Sequence, residues 1–126
     1  MEGHGSFYWN ELMTHDAEKA KKFYSDTIGW TFDAMSMPNG TYWVAKMGDK
    51  AVGGLFPMNG PDFANVPEHW ISYIAVDDVD ARLKKAKTAG AKAMREPFDI
   101  PDVGRIAILH EPGGAVVGWI TPKRKS

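Results

Sequence analysis

The sequence predicts an α+β fold made of two tandem β-α-β-β-β modules. Two observations carry this: an internal repeat near half the chain length, and matched helix punctuation in the two copies. Asp16 falls on Asp78 and Leu12 on Ile74, 62 residues apart. Gly40-Thr41 falls on Gly104-Arg105, and Ala51 to Gly54 on Ala115 to Gly118, 64 apart. A repeat of this period decides architecture before any motif is read. The identities are modest, so the weight rests on pattern and punctuation.

The elements follow in order. Phe7 to Thr14 is apolar and aromatic and reads as a strand. Asp16 is placed as an N-cap, with Glu18 at the positive helix end. Ala17, Ala20, Phe23, Tyr24 and Ile28 then recur at helical spacing, and Gly29 suits a left-handed helix stop. Thr31 to Met37 reads as a strand, Pro38-Asn39-Gly40 as a turn, and Thr41 to Met47 and Ala51 to Met58 as two more strands. Residues 59–68, with Gly60, Pro61 and Pro67, form a linker. Module 1 thus spans about 5–58 and module 2 about 69–122, in a single domain of 1–126.

The second copy repeats the order. Trp70 to Val76 is a strand, and Asp78 caps a helix with Val79, Leu83 and Ala86 on one face, closed by Gly90. Ala93 to Phe98 is a strand broken by Pro97, and Ile100 to Gly104 a loop. Arg105 to His110 and Ala115 to Thr121 are strands joined by the Pro112-Gly113-Gly114 turn. Neither module buries one apolar sheet face alone, so the two must pack together or with another chain.

Composition excludes several classes. A net charge of -1 leaves no electrostatic footprint for nucleic acid, and the short Lys123-Arg124-Lys125 tail does not change that. No apolar run approaches the ~20 residues needed to cross a bilayer. No basic region followed by an apolar stretch opens the chain, which favours the cytoplasm. With no cysteine there is no disulfide, thiol nucleophile or thiolate metal site.

Three segments carry a family resemblance: E-L-M-T-H-D-A-E-K-A-K-K-F-Y with I-G-W at Ile28 to Trp30, W-I-S-Y-I-A-V-D-D-V-D-A at Trp70 to Ala81, and G-R-I-A-I-L-H-E-P-G-G-A at Gly104 to Ala115. In this order and spacing they resemble the vicinal-oxygen-chelate superfamily, which includes glyoxalase I, bleomycin-resistance proteins and extradiol dioxygenases. The resemblance implies a curled mixed sheet around a cup. It further implies four metal positions in metal-using members, two on the first strands of the modules and two on the last. Carried onto this chain they are Trp9, Ile71, Gly54 and Gly118. None offers a side-chain lone pair for a metal. A one-residue slip brings Asn10 or Ser72, still poor ligands. No metal and no cofactor are therefore expected.

Strand parity supplies the candidate pocket. If Trp9 points inward, so do Phe7, Glu11 and Met13, and if Ile71 does, so do Tyr73 and Ala75. Leu12, Ile74 and Val76 then face the helices. The expected pocket is Phe7, Trp9, Glu11, Gly54, Phe56, Ile71, Tyr73 and Gly118. Glu11 is either a ligand acceptor or general base, or a carboxylate paired to an arginine or backbone amides that hold the modules together. Trp9 either stacks on a planar ligand or fills the hole of an absent metal. Trp43, Trp119 and Phe56 read foremost as core. His4 belongs to a frayed terminus, and His15, His69 and His110 read as satisfied surface groups with no shared ligand spacing.

The expected function is metal-free binding of a small molecule, with no nucleic-acid or membrane partner. The alternatives are a glyoxalase-type lyase acting on a small carbonyl compound, with Glu11 as the base, and a non-catalytic dimeric interaction module. A homodimer is the expected assembly.

Overall fold

A computed structural model describes residues 3–38, 40–100 and 103–123. It contains eight strands and two helices: β1 Phe7–Thr14, α1 Ala17–Ile28, β2 Thr31–Met37, β3 Gly40–Met47, β4 Lys50–Pro57, β5 His69–Ala75, α2 Val79–Thr88, β6 Lys92–Ile100, β7 Gly104–His110 and β8 Val116–Pro122. A short 3₁₀ turn, Pro61–Phe63, interrupts the linker. The element order is β-α-β-β-β twice, as the repeat predicts. The chain divides into two compact units, Asn10–Ile71 and Met1–Trp9 with Ser72–Ser126.

In the first copy the strand order is β2-β3-β4-β1, and β1 runs parallel to β4 while the hairpins are antiparallel. The Asp16 carboxylate accepts from the Lys19 N–H at 3.0 Å, closing the start of α1. Gly29 ends the helix in the left-handed region at φ 82°. The helical spacing does not produce a buried face, however: no α1 residue is buried, and Phe23 and Ile28 stay half exposed. The helix instead rests on a polar contact. The Lys21 ammonium lies 3.2 Å from the centre of the Trp43 ring and pairs with Glu18 at 2.7 Å. Tyr24, Trp30 and Trp70 form an aromatic group beside it, with Tyr24 and Trp30 stacked at 4.7 Å.

In the second copy the order is β5-β8-β7-β6, with β5 parallel to β8. Here α2 does bury an apolar face. Val79, Leu83 and Ala86 pack with Val76, Ala91, Ala107, Leu109 and Val117, flanked by Ile74, Ala93 and Trp119. Gly5 and Ser6 exchange backbone bonds with Ala75 at 2.7 and 2.8 Å, which ties the N-terminal segment to this unit. His4 is accordingly not frayed, because its Nδ1 accepts from the Asp77 N–H at 3.0 Å.

Most strand ends fall within a residue of expectation, and the larger departures lie in the second copy. Pro97 does not break β6. The strand continues to Ile100, with register irregularities on both sides of Arg95, and an edge strand tolerates proline at such a bulge. Ile100 and Gly104 are paired strand residues, not loop. Asn39 and residues 124–126 lie outside the described residues. No helix among the described residues is long and apolar enough to cross a membrane.

Two arginine forks secure the start of α2. Arg82 donates from Nε and Nη2 to Asp77 at 2.8 and 2.9 Å, and Arg105 likewise to Asp80 at 2.7 and 3.1 Å. These hydrogen bonds hold both carboxyls below their ordinary value of 3.8. A depressed folded-state value stabilises above the unfolded value and is lost as acid protonates the group. We expect stability, followed as urea midpoints, to fall as pH drops through 3.8 and below. Arg82→Gln should flatten that acid limb, and an unchanged limb in this variant would refute the assignment.

Candidate functional site

The sheet face turned away from the helix is defined in each copy by a glycine in the last strand. In the first copy Glu11 is the parallel partner of Gly54, and Val44 its antiparallel partner. A Cβ on Gly54 would collide with the Tyr42 hydroxyl, so the phenol lies directly over this glycine. Tyr42 and Glu11 therefore occupy adjacent stations on one face. Trp43, under Lys21 of α1, marks the opposite face. Glu11 is 8% exposed, and neither it nor Tyr42 is without an interaction partner. Among the described residues no buried side-chain polar atom lacks a hydrogen bond.

The second copy solves the same geometry differently. Tyr73 takes the station of Glu11 as the parallel partner of Gly118, and its own ring fills the space where a Cβ on residue 118 would stand. Ile74 and Trp119, one residue along each strand, pack on the α2 side. Parity therefore separates Tyr73 and Gly118 from the core under α2.

The remaining expected residues are placed as follows. Trp9 and Phe56 are half-buried, Ile71 is buried, and Phe7 is 71% exposed. Phe56 meets Phe63 edge-on at 6.1 Å. Residues 59–68 are anchored at Thr14, which is 1% exposed: its hydroxyl donates to Glu68 at 2.9 Å and accepts from the Asp16 N–H at 3.1 Å. His15 Nε2 donates to the Val66 carbonyl at 2.7 Å, and His69 Nδ1 to that of Pro67 at 2.8 Å. Sequence reasoning missed Tyr42. The signal available was its position two residues past Gly40, on a strand expected beside Gly54.

The positions that the resemblance assigns to a metal do not fit one. Trp9, Ile71, Gly54 and Gly118 carry no ligand atom, and both glycine stations are covered by phenol rings. Among the described residues no three His, Asp or Glu side chains gather to hold an ion. What the first face offers is a carboxylate acceptor beside a phenolic O–H, on an apolar floor.

Residues 7–118 match the sequence profile of the Glyoxalase/Bleomycin resistance protein/Dioxygenase superfamily. A Mycobacterium bovis protein named provisionally as the glyoxylase CFP32 is 43% identical over 119 residues, which cover 94% of this chain and 44% of that protein. The anthracycline biosynthesis protein DnrV of Streptomyces peucetius is 31% identical over 123 residues, 88% of this chain and 45% of its own length. The chain thus spans less than half the length of these two relatives. The crystal structure of a hypothetical protein from Bacillus halodurans, BH1468, has the same fold, with a TM-score of 0.72, 14% identity and 96% coverage of each chain.

Neither Gly54 nor Gly118 has a positive φ, so the constraint on both is space alone. Gly118→Ala and Gly54→Ala should each cost about 1–3 kcal/mol, the usual range for overpacking. Tyr73→Leu in the Gly118→Ala background should recover part of that loss. Denaturant titration of the two single variants and the double variant checks the coupling.

Proposed function

The chain belongs to the glyoxalase, bleomycin-resistance protein and dioxygenase superfamily, and from that premise we propose that it binds a small organic molecule without using a metal ion. The observation that carries this reading is the cover over the two last-strand glycines. Where a metal-using member needs ligand atoms, this chain has the Tyr42 hydroxyl over Gly54 and the Tyr73 ring over Gly118. Glu11 and Tyr42 then serve as an acceptor and donor pair for a polar group, and apolar neighbours hold the rest of the molecule.

A second reading is favoured by the same pair and by the glyoxylase name given to the mycobacterial relative. A carboxylate beside a phenol suits proton transfer next to a carbonyl. Glu11 would take a proton from the adjacent carbon, while the Tyr42 O–H donates to the carbonyl oxygen as it gains charge. Return of the proton would complete an isomerisation with no cofactor. We further read the protein as a cytoplasmic homodimer, since a module of this kind buries its apolar sheet face only against another module, and a second copy can supply one.

The tests separate these readings. Elemental analysis of purified protein should find far less than one zinc, nickel or iron per chain. A stoichiometric metal whose removal abolishes ligand binding would overturn the metal-free reading. A thermal-shift screen against aldehydes, 2-oxo acids and aromatic metabolites should yield a stabilising ligand. Glu11→Gln and Tyr42→Phe should each weaken that ligand about tenfold, in line with loss of a charge-assisted or buried hydrogen bond. If Glu11→Gln lowers only the melting temperature and leaves affinity intact, Glu11 is structural. Sedimentation at micromolar concentration should give twice the chain mass, and a monomer there would sink the dimer.

A further inference from the structure

In the second unit Arg95 stacks on a neighbouring ring and, among the described residues, forms no ion pair. Across β6 and β7, Arg95 pairs with Ile108 and Phe98 with Ile106. Ile108 in turn pairs with Gly118, the glycine under the Tyr73 ring. These residues therefore share the face turned away from α2, whereas Ala93, the register partner of Leu109, packs in the α2 core. The bulge between Arg95 and Phe98 brings residues three apart onto one side. The guanidinium carbon lies 3.7 Å from the Phe98 ring centre. Stacking of this kind fixes the plane of the fork and leaves its N–H edge open.

Two acids close to it in the chain are committed elsewhere. Glu96 takes the Lys87 ammonium at 3.0 Å, and Asp99 takes Arg105 at 3.3 Å. Arg82 and Arg105 each have a bidentate aspartate partner, while Arg95, among the described residues, has no carboxylate within ion-pair distance and is exposed. Lys92 and His110 pair with each other further along the same face, and His110 Nδ1 lies 3.4 Å from the Gly114 carbonyl.

We propose that Arg95 recognises the carboxylate of a small organic acid whose apolar body lies on the half-buried Phe98 and Ile108, beside the buried Tyr73 and Ile106. A planar fork above an aromatic ring matches a planar monoanion with two acceptor oxygens. The neighbouring aliphatic side chains suit an aryl or branched alkyl body. The inference rests on the reading of this protein as a small-molecule binder and adds the ligand's charge and class.

The probes are phenylacetate, its neutral isostere phenylacetamide, and phenyl phosphate, titrated into the whole chain. Binding is followed by the methyl resonances of Ile106 and Ile108. Phenylacetate should shift both in a saturable way, with phenylacetamide at least tenfold weaker. Arg95→Gln should bring the acid down to the level of the amide without changing the melting temperature. Lys84→Gln, on α2, should leave the acid's affinity unchanged. Equal affinity of acid and amide at these methyls, or an unaffected Arg95→Gln, overturns the role of Arg95 while leaving the face a binding site. Tighter binding of phenyl phosphate than of phenylacetate overturns the carboxylate class. Absence of any shift with all three probes overturns the site, and the thermal-shift screen then decides separately whether the protein binds small molecules at all.

Discussion

The rest of each module hangs on the parallel pairing of its first strand with its last. That pairing places one glycine, 54 or 118, beside a first-strand residue, 11 or 73, at the same height on one face. A parallel pair needs a long connection between its strands, and the helix and two strands in between supply it. The glycine then leaves a gap on the face turned away from the helix. In one copy a tyrosine from a third strand crosses into the gap, and a carboxylate keeps the neighbouring station. In the other, the neighbouring residue is itself the tyrosine. The same backbone thus presents a polar pair once and an aromatic surface once.

The helices show a parallel divergence. Leu83 of α2 sits in an apolar cluster with Ala107 and Leu109. Its counterpart 62 residues earlier is Lys21, whose charge lies on the Trp43 ring. A lysine over an indole is worth about 0.5–2 kcal/mol, comparable to but no larger than a buried leucine's transfer energy, and it leaves the helix flanks exposed. Phe23 and Ile28 remain more than half exposed on α1.

Strand parity made much of this legible in advance. Within each module a period of two is enough to set Glu11 off from Leu12 and Tyr73 from Ile74, and the caps at Asp16 and Asp78 follow from local hydrogen bonding. What parity does not reach is a residue that arrives from another strand, such as Tyr42. Nor does it survive a bulge, which is how Arg95 and Phe98 come to share a face and how Pro97 stays within a strand. Helical spacing likewise marks an apolar stripe on α1 without saying whether anything covers it. In each case the missing information is pairing or packing against another element, which no pattern within the element itself records.

The rings over Gly54 and Gly118 also bear on how such a sequence changes over generations. A side chain larger than hydrogen at either position meets an aromatic ring already in place. A lineage carrying Tyr42 and Tyr73 therefore reaches a glutamate or histidine at these stations only by giving up the tyrosine first, or in the same step. Each order passes through an intermediate with either a clash or a void. Two large residues thereby hold two small ones fixed, and neither station is easily changed one substitution at a time.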